Sequence, residues 1–174
     1  MITAAQLIAI MPYARARVPL FLGMLNETCH EFDIDTPARV SAYLAQVGHE
    51  SGQLRYVEEL ASGDAYEGRK DLGNVQPGDG RRFKGHGLIQ ITGRSNHQKV
   101  ADFFGKSLDD VVTWLVTPEG ATRSSGWFWS THHCNELADA GDFIGVTRRI
   151  NGGLNGLADR QVLYDRAINT LGAA

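Results

Sequence analysis

The sequence predicts a mainly helical protein that carries one small irregular lobe. Three observations support this. Apolar residues recur at helical spacing along most of the chain, and Thr36-Pro37 reads as an N-cap followed by proline in the first turn. Residues 61–97, in contrast, are rich in glycine and poor in helix formers, the composition of loops and short strands.

Residues 3–11 read as a short helix, capped by Thr3 and stopped by Pro12. Residues 17–31 carry Leu20, Phe21, Met24, Leu25 and Thr28 as a stripe at helical spacing. In the helix opened by Thr36-Pro37, Val40, Tyr43, Leu44 and Val47 fall at i, i+3, i+4 and i+7, which marks one buried face. Within the glycine-rich region, residues 88–92 read as a strand with Ile89 and Ile91 on one side and Leu88, Gln90 and Thr92 on the other. Helical patterns return near Leu108, and that helix ends at Thr117-Pro118. The next segment places Trp127, Phe128 and Trp129 in an expected central buried helix. Phe143, Val146 and Ile150 form a short stripe, and Leu157, Gln161, Tyr164, Ile168 and Leu171 mark the last helix.

The length, 174 residues, suits one domain over 1–174, and 43% hydrophobic residues suffice for a sizeable core. The formal net charge of −3 argues against nucleic acid as the partner and gives no attraction to an anionic membrane. Cys29 and Cys134 lie far apart in no CxxC pattern and are expected as two buried thiols. The opening MITAAQLIAIMPYARARVPLF lacks a basic n-region, and no run is long enough to span a bilayer. The expectation is a monomer made in the cytoplasm, without stable membrane association.

The chemistry centres on GHESGQLRYVEEL, residues 48–60. Glu50 lies seven residues after Tyr43, nearly two full turns, so it continues the core-facing stripe. A carboxyl at the end of an apolar stripe is partly desolvated, which favours the protonated form that a general acid needs. The competing reading is a helix that frays at Gly48 and lets Glu50 reach water. Glycoside hydrolysis needs a second carboxylate, and inverting enzymes keep the pair ~6.5–9.5 Å apart. A straight helix would put Glu59 ~13.5 Å along the axis from Glu50. Ser51-Gly52 offers a break that brings the second acid back, and Glu58 and Glu59 compete for the role of base. Gln90, Thr92 and Asn96 carry amide and hydroxyl groups suited to sugar hydroxyls and N-acetyl groups, or else to local backbone. INGGLNGLADR, residues 150–160, is a second cleft wall holding Asn151 and Arg160, or a plain joint between helices.

Rival signals fail. GDGRRFKGHG lacks the GK[ST] ending of a P-loop, and His49-Glu50 lacks the second histidine of HExxH. His132-His133 are adjacent in an expected helix and point apart, a poor pair of metal ligands. No metal and no cofactor are expected. No local signature supports a thiol peptidase at either cysteine.

GHESG near residue 50, FKGHGLIQITGRSNH at 83–97 and RRINGGLNGLADR at 148–160 resemble, in order, the signature blocks of family 19 glycoside hydrolases, the chitinase-type family that includes many bacteriophage endolysins. The resemblance spans roughly residues 36–171. It implies a lysozyme-like helical body with a cleft between two lobes, and single displacement with inversion. It puts the general acid on Glu50 and the general base on Glu59, with Glu58 as the other register. Thr92 would help hold the attacking water, and Gln90, Asn96, Asn151 and Arg160 would bind substrate. Two departures stand out: His86 where the family usually has arginine, and His97 where it usually has tyrosine. The chain also lacks the extra loops and disulfides of the larger plant-type members, which implies a shorter cleft. The resemblance and the missing leader together lead to the expectation of an endolysin acting on peptidoglycan after release from the host cytoplasm. A chitinase, a non-catalytic wall-binding domain and a stem peptidase are the alternatives.

Overall fold

The computed structural model describes residues 1–172. Helix α1 (Ala4–Ile10) opens at Thr3, whose hydroxyl accepts the Gln6 N–H while the Gln6 side chain returns to the Thr3 N–H. A 3-10 turn (Pro12–Ala14) leads to α2 (Val18–Glu31). Helix α3 (Pro37–Glu50) starts at the expected cap, with Thr36 accepting from the Arg39 N–H. The irregular region follows, with 3-10 turns, a four-residue helix α4 (Asp79–Arg82) and isolated bridges. Helices then run to the end: α5 (Arg94–Phe104), α6 (Leu108–Leu115), α7 (Pro118–Thr131), α8 (Cys134–Asp139), α9 (Phe143–Asn151) and α10 (Leu157–Leu171).

The tryptophan-bearing α7 is largely buried as expected, and α3 is equally enclosed. Residues 41–48 of α3 are buried all the way round. Small residues explain why: Ser41, Ala42, Ala45 and Gly48 let neighbours approach on faces where the apolar stripe is absent. A Cβ on Gly48 would stand 3.1 Å from both Leu163 and Met11. Helix α3 packs most extensively on α10, α1 lies on α10, and α2 packs on α7.

Two expected faces are displaced. The buried residues of α10 are Arg160, Leu163 and Ala167, while Leu157, Tyr164, Ile168 and Leu171 flank them half-buried and Gln161 is exposed. A charged residue at the centre of the face hid it from a hydrophobicity pattern. On α2, Leu20 is exposed and Phe21, Leu25 and Thr28 face inward.

The strand expected at 88–92 is absent. Residues 86–91 close a tight loop in which His86 and Ile91 exchange both backbone hydrogen bonds, at 3.0 and 2.7 Å, and Gln90 has φ +57°. Leu88 and Ile91 are both buried, so the expected alternation does not exist. His133 leaves the helical region with φ +54°, and His132 caps α7, so the two are not neighbours within a helix. Cys29 and Cys134 are free and buried, and burial pushes both thiols up to about 12. No helix among the described residues is long and apolar enough to cross a membrane.

Gly126 on α7 shows how tightly the body is packed. Its missing Cβ would meet the Phe32 ring and lie 2.5 Å from Cγ2 of Thr28, a β-branched residue with no freedom to turn away. Gly126→Ala is expected to cost about 1–3 kcal/mol and lower Tm by roughly 3–10 °C, measured by thermal unfolding.

Candidate active site

Glu50 closes α3 and is 18% exposed at its side chain. It meets a guanidinium at the end of the apolar stripe. Arg160, with 0% of its surface exposed, donates from Nη2 to Glu50 Oε1, from Nη1 to Gln46 Oε1 at 2.5 Å, and from Nε to the Asn155 carbonyl at 3.2 Å. Gln46 in turn donates to Thr147 Oγ1 at 2.9 Å. Arg160 was expected at the sugar; instead it is sealed behind Glu50 and orients it. Glu50 Oε2 makes no hydrogen bond to the described residues, which leaves that oxygen for a ligand. One residue earlier, His49 Nδ1 sits 2.6 Å from Asp159 Oδ2, tying the end of α3 to the first turn of α10. Gly156 lies flat against the His49 ring at φ +72°, where a Cβ would collide with the ring and the backbone favours glycine.

The chain then reverses. Gly52, Gln53 and Leu54 all have positive φ, at +58°, +60° and +65°. Left-handed backbone at a non-glycine residue is unfavourable by ~1–2 kcal/mol, so something must hold it. Ser51 does: its Oγ donates to the Val47 carbonyl at 2.6 Å and accepts the Leu54 N–H at 2.8 Å. Its carbonyl accepts the N–H groups of both Arg55 and Tyr56. By Tyr56 the backbone is back at Ser51, and the three residues to Glu59 span at most ~10 Å. This is the break that Ser51-Gly52 suggested.

Glu58 and Glu59 part company here. Glu58 is 50% exposed at its side chain and pairs with Lys84 Nζ at 2.9 Å. That ammonium holds its carboxyl below the usual range. Glu59 is half-buried and clamped. Its N–H donates to the Gly85 carbonyl at 2.8 Å, and its Oε2 accepts the Gly85 N–H at 2.9 Å. Its Oε1 accepts the Tyr66 hydroxyl at 3.0 Å. Burial, together with Glu59, pushes the Tyr66 phenol up, so it remains a donor.

Gln90 packs on the same glycine: a Cβ on Gly85 would stand 2.5 Å from Gln90 Oε1. The Gln90 amide donates to the Gly87 carbonyl, the Thr92 hydroxyl to the Gln90 carbonyl at 2.9 Å, and the Asn96 amide to the Thr92 carbonyl at 2.9 Å. Each of these groups therefore supports local backbone and keeps an oxygen free to accept. Asn151 ends α9, and its Oδ1 is buried with no hydrogen-bond partner among the described residues. The structure thus gathers Glu59, Gln90, Thr92 and Asn96 on one loop–helix unit and Glu50 with Arg160 on another, joined by the 51–56 reversal. An open depression of about 360 Å³ runs along Arg55, Tyr56, Val57, Glu58, Glu59, Leu60 and Lys84; Glu50 is not in its wall. The larger cavity, about 420 Å³, includes Pro37 and Val40 at the opposite end of α3, ~20 Å from Glu50. No cluster of three or more potential metal ligands occurs among the described residues.

A protein of Haemophilus influenzae described as a glycosyl hydrolase family 19 domain-containing protein is 33% identical over 155 residues, covering 70% of this chain and 74% of its own length. The chain belongs to glycoside hydrolase family 19. It is therefore a glycoside hydrolase. An endochitinase of Arabidopsis thaliana is 37% identical over 115 residues, 66% of this chain but 39% of the plant protein, so the chain spans about two fifths of that relative. Chitinase C of Streptomyces griseus has the same fold, with a TM-score of 0.78 at 21% identity over 98% of this chain and 76% of that one. A bacterial family 19 chitinase superposes with a TM-score of 0.78 over 99% of this chain and 95% of its own, also at 21% identity. No protein-family model matches the chain. The mainly helical, lysozyme-like fold implied by the family 19 resemblance is thus the fold observed.

The sequence did not reveal Gln46, Thr147, Tyr66 or Gly85 as neighbours of the candidate residues. Gln46 left a trace, a polar residue one turn before Glu50 in a stretch, 41–48, that is otherwise apolar or small. Tyr66 and Gly85 left none, because their roles depend on a loop path.

Two outcomes are expected. Arg160→Ala leaves Glu50 and Gln46 facing an empty, dry pocket, and should destabilise the fold by about 3–5 kcal/mol in urea unfolding. The second concerns His97, which burial pushes down to about 4, and His86, lowered by the same cause. Glu58 and Glu59 favour a charge on His86 and Lys84 opposes it; His86 opposes one on His97. The unfolded imidazoles protonate near 6.5 while folded His97 holds out to about 4, so the folded state binds fewer protons in between. Stability is full above pH 6.5 and falls as the pH drops toward 4. The His97 share is ~3 kcal/mol, and it should vanish from the wild-type minus His97→Gln difference in urea midpoint measured across that window.

Proposed function

We propose that the chain cleaves β-1,4 bonds in chitin-like chains of N-acetylglucosamine by single displacement with inversion. The observation that carries this reading is the 51–56 reversal. It brings Tyr56 back to Ser51 at the end of α3 and leaves Glu59 only three residues further on, at most ~10 Å of backbone, a reach compatible with the ~6.5–9.5 Å of an inverting site.

In this mechanism Glu50, held on Oε1 by Arg160, protonates the glycosidic oxygen from Oε2 as the bond to the anomeric carbon breaks. Glu59 takes a proton from a water that attacks the opposite face of the sugar. Thr92 Oγ1 has already committed its proton to the Gln90 carbonyl, so it can only accept. A water lying between Glu59 and Thr92 would give both of its hydrogens to them and turn a lone pair toward the anomeric carbon. Proton for proton the step balances: one leaves Glu50, one arrives on Glu59, and the hydroxyl stays on the new reducing end. Glu59 suits the base role better than Glu58, whose carboxylate is taken by Lys84. Asn151 Oδ1 offers a buried acceptor with no partner among the described residues, which an N–H or hydroxyl of the sugar would satisfy.

The relatives favour chitin over the peptidoglycan expected from the sequence. Those in Arabidopsis thaliana and Streptomyces griseus are named as chitinases. The test is digestion of an N-acetylglucosamine hexamer and of purified peptidoglycan side by side, with early products followed by proton NMR. The expected result is hexamer cleavage with the α-anomer appearing first. Glu50→Gln and Glu59→Gln should each lose ~10²–10⁴-fold in rate, while Glu58→Gln stays near wild type. A β-anomer as first product would overturn the inverting mechanism. Reducing ends from peptidoglycan alone would return the muramidase reading, new amino groups would indicate a peptidase, and binding without cleavage a binding domain.

A further inference from the structure

The two histidines that depart from the family pattern face each other in the interior. His97 sits in the first turn of α5 and His86 in the segment that clamps Glu59, and both are buried. Their hydrogen bonds leave no choice of tautomer. His97 Nδ1 lies 2.9 Å from the Gly93 carbonyl, which can only accept, so that nitrogen carries the proton. The ring is neutral near pH 7, since burial holds it down to about 4, and its Nε2 is therefore bare. That bare nitrogen lies 2.9 Å from His86 Nδ1, so His86 donates from Nδ1. Its own Nε2 is then left unprotonated.

The backbone around His86 gives this bond its consequence. His86 bridges Glu58 on one side and Ile91 on the other. The residue before it, Gly85, holds Glu59 by both its N–H and its carbonyl. On the far side the Gly93 N–H bonds the Phe83 carbonyl at 2.7 Å, and the Phe83 ring packs 5.1 Å from His97. A single side-chain hydrogen bond therefore runs from the rigid start of α5 to the residue next to the Glu59 clamp. The charged groups acting on His86 are Glu58, Glu59 and Lys84; only His86 itself acts on His97.

We propose that His86 and His97 are positioning residues for the general base, a tautomer-locked pair that fixes Gly85 and through it the angle of the Glu59 carboxylate. The proposal rests on Glu59 being the base. Neither ring reaches substrate, because both are enclosed. Removing the acceptor at residue 97 would strand the His86 Nδ1–H in a dry place, and the segment would shift to relieve it. Misplacement of a catalytic group by ~1 Å lowers turnover by up to 10²-fold without weakening binding.

The test compares wild type with His97→Gln, His97→Phe and Glu59→Gln, each checked for folding by circular dichroism, on the N-acetylglucosamine hexamer at pH 7. It adds ring ¹⁵N spectra of the wild type. His97→Gln can still offer a carbonyl to His86; His97→Phe cannot. The expected result is kcat about 10-fold or more lower in His97→Phe with KM within about twofold, and most of the loss recovered in His97→Gln. The spectra should show both rings protonated on Nδ1. A His97→Phe enzyme with wild-type kcat, equal losses in both His97 variants, or His86 protonated on Nε2 would overturn the proposal. If His97→Phe does not fold, the spectra still test the tautomer lock on which the proposal stands, since His86 protonated on Nε2 would remove it. A fully active Glu59→Gln enzyme would instead remove the base assignment itself, an outcome distinct from failure of the histidine lock.

Discussion

Arg160 brings a full positive charge into a place without water, and the arrangement around Glu50 follows from that. A buried guanidinium must have its donors satisfied or the fold loses several kcal/mol. Here the partners are Glu50 and Gln46, one turn apart on α3, together with the Asn155 carbonyl just before α10. Because the same cation holds both α3 side chains, α3 and α10 cannot slide past each other without uncovering a charge. The packing of these two helices and the orientation of Glu50 are thus one constraint. The His49–Asp159 pair and the close approach of Gly156 reinforce it at the joint where α10 begins.

The second carboxylate is held by different means. Glu59 stands on no helix. Its place comes from three consecutive left-handed residues, pinned by one serine, and from a reciprocal pair of hydrogen bonds to Gly85. Such backbone strain persists only where neighbours over-determine it. Ser51 does this at both ends of the reversal, and Tyr66 and Gly85 do it at the carboxylate. The two acids therefore respond to different perturbations. A cavity in the body disturbs Glu50, and a change in the loop around residues 83–93 disturbs Glu59.

The helical body was readable because it obeys local rules. The Thr3 box, the Thr36-Pro37 start and the turn at Thr117-Pro118 all lie where capping chemistry puts them. What was misread obeys longer-range ones. Residues 88–92 alternate like a strand, yet Gln90 adopts φ +57° and the segment folds back on His86, because the pairing partner lies inside the loop itself. The α10 face was misplaced because its centre is Arg160, a residue that reads as solvent-facing until its partners on α3 are known. The same residue was assigned to the sugar by resemblance and proves to be behind the carboxylate. Glu58 and Glu59 differ in a way that spacing does not show, because it depends on which neighbour captures which acid: Lys84 takes Glu58, and the Gly85 N–H takes Glu59.

That division of neighbours also bears on chemistry. A base that must take a proton from water cannot be held by a cation as firmly as Glu58 is, nor can it swing free as an exposed side chain does. Glu59, the base of the proposed mechanism, has neutral donors as partners, an amide N–H and a phenol, which fix its geometry without adding a positive charge. Glu50, the acid of the proposed mechanism, is held on one oxygen only, with the other left open. A cation lies behind Glu50 and uncharged donors surround Glu59, so two identical side chains sit in unlike surroundings. The difference lies in what each oxygen touches rather than in the residue type, which is why it becomes visible only once the chain is folded.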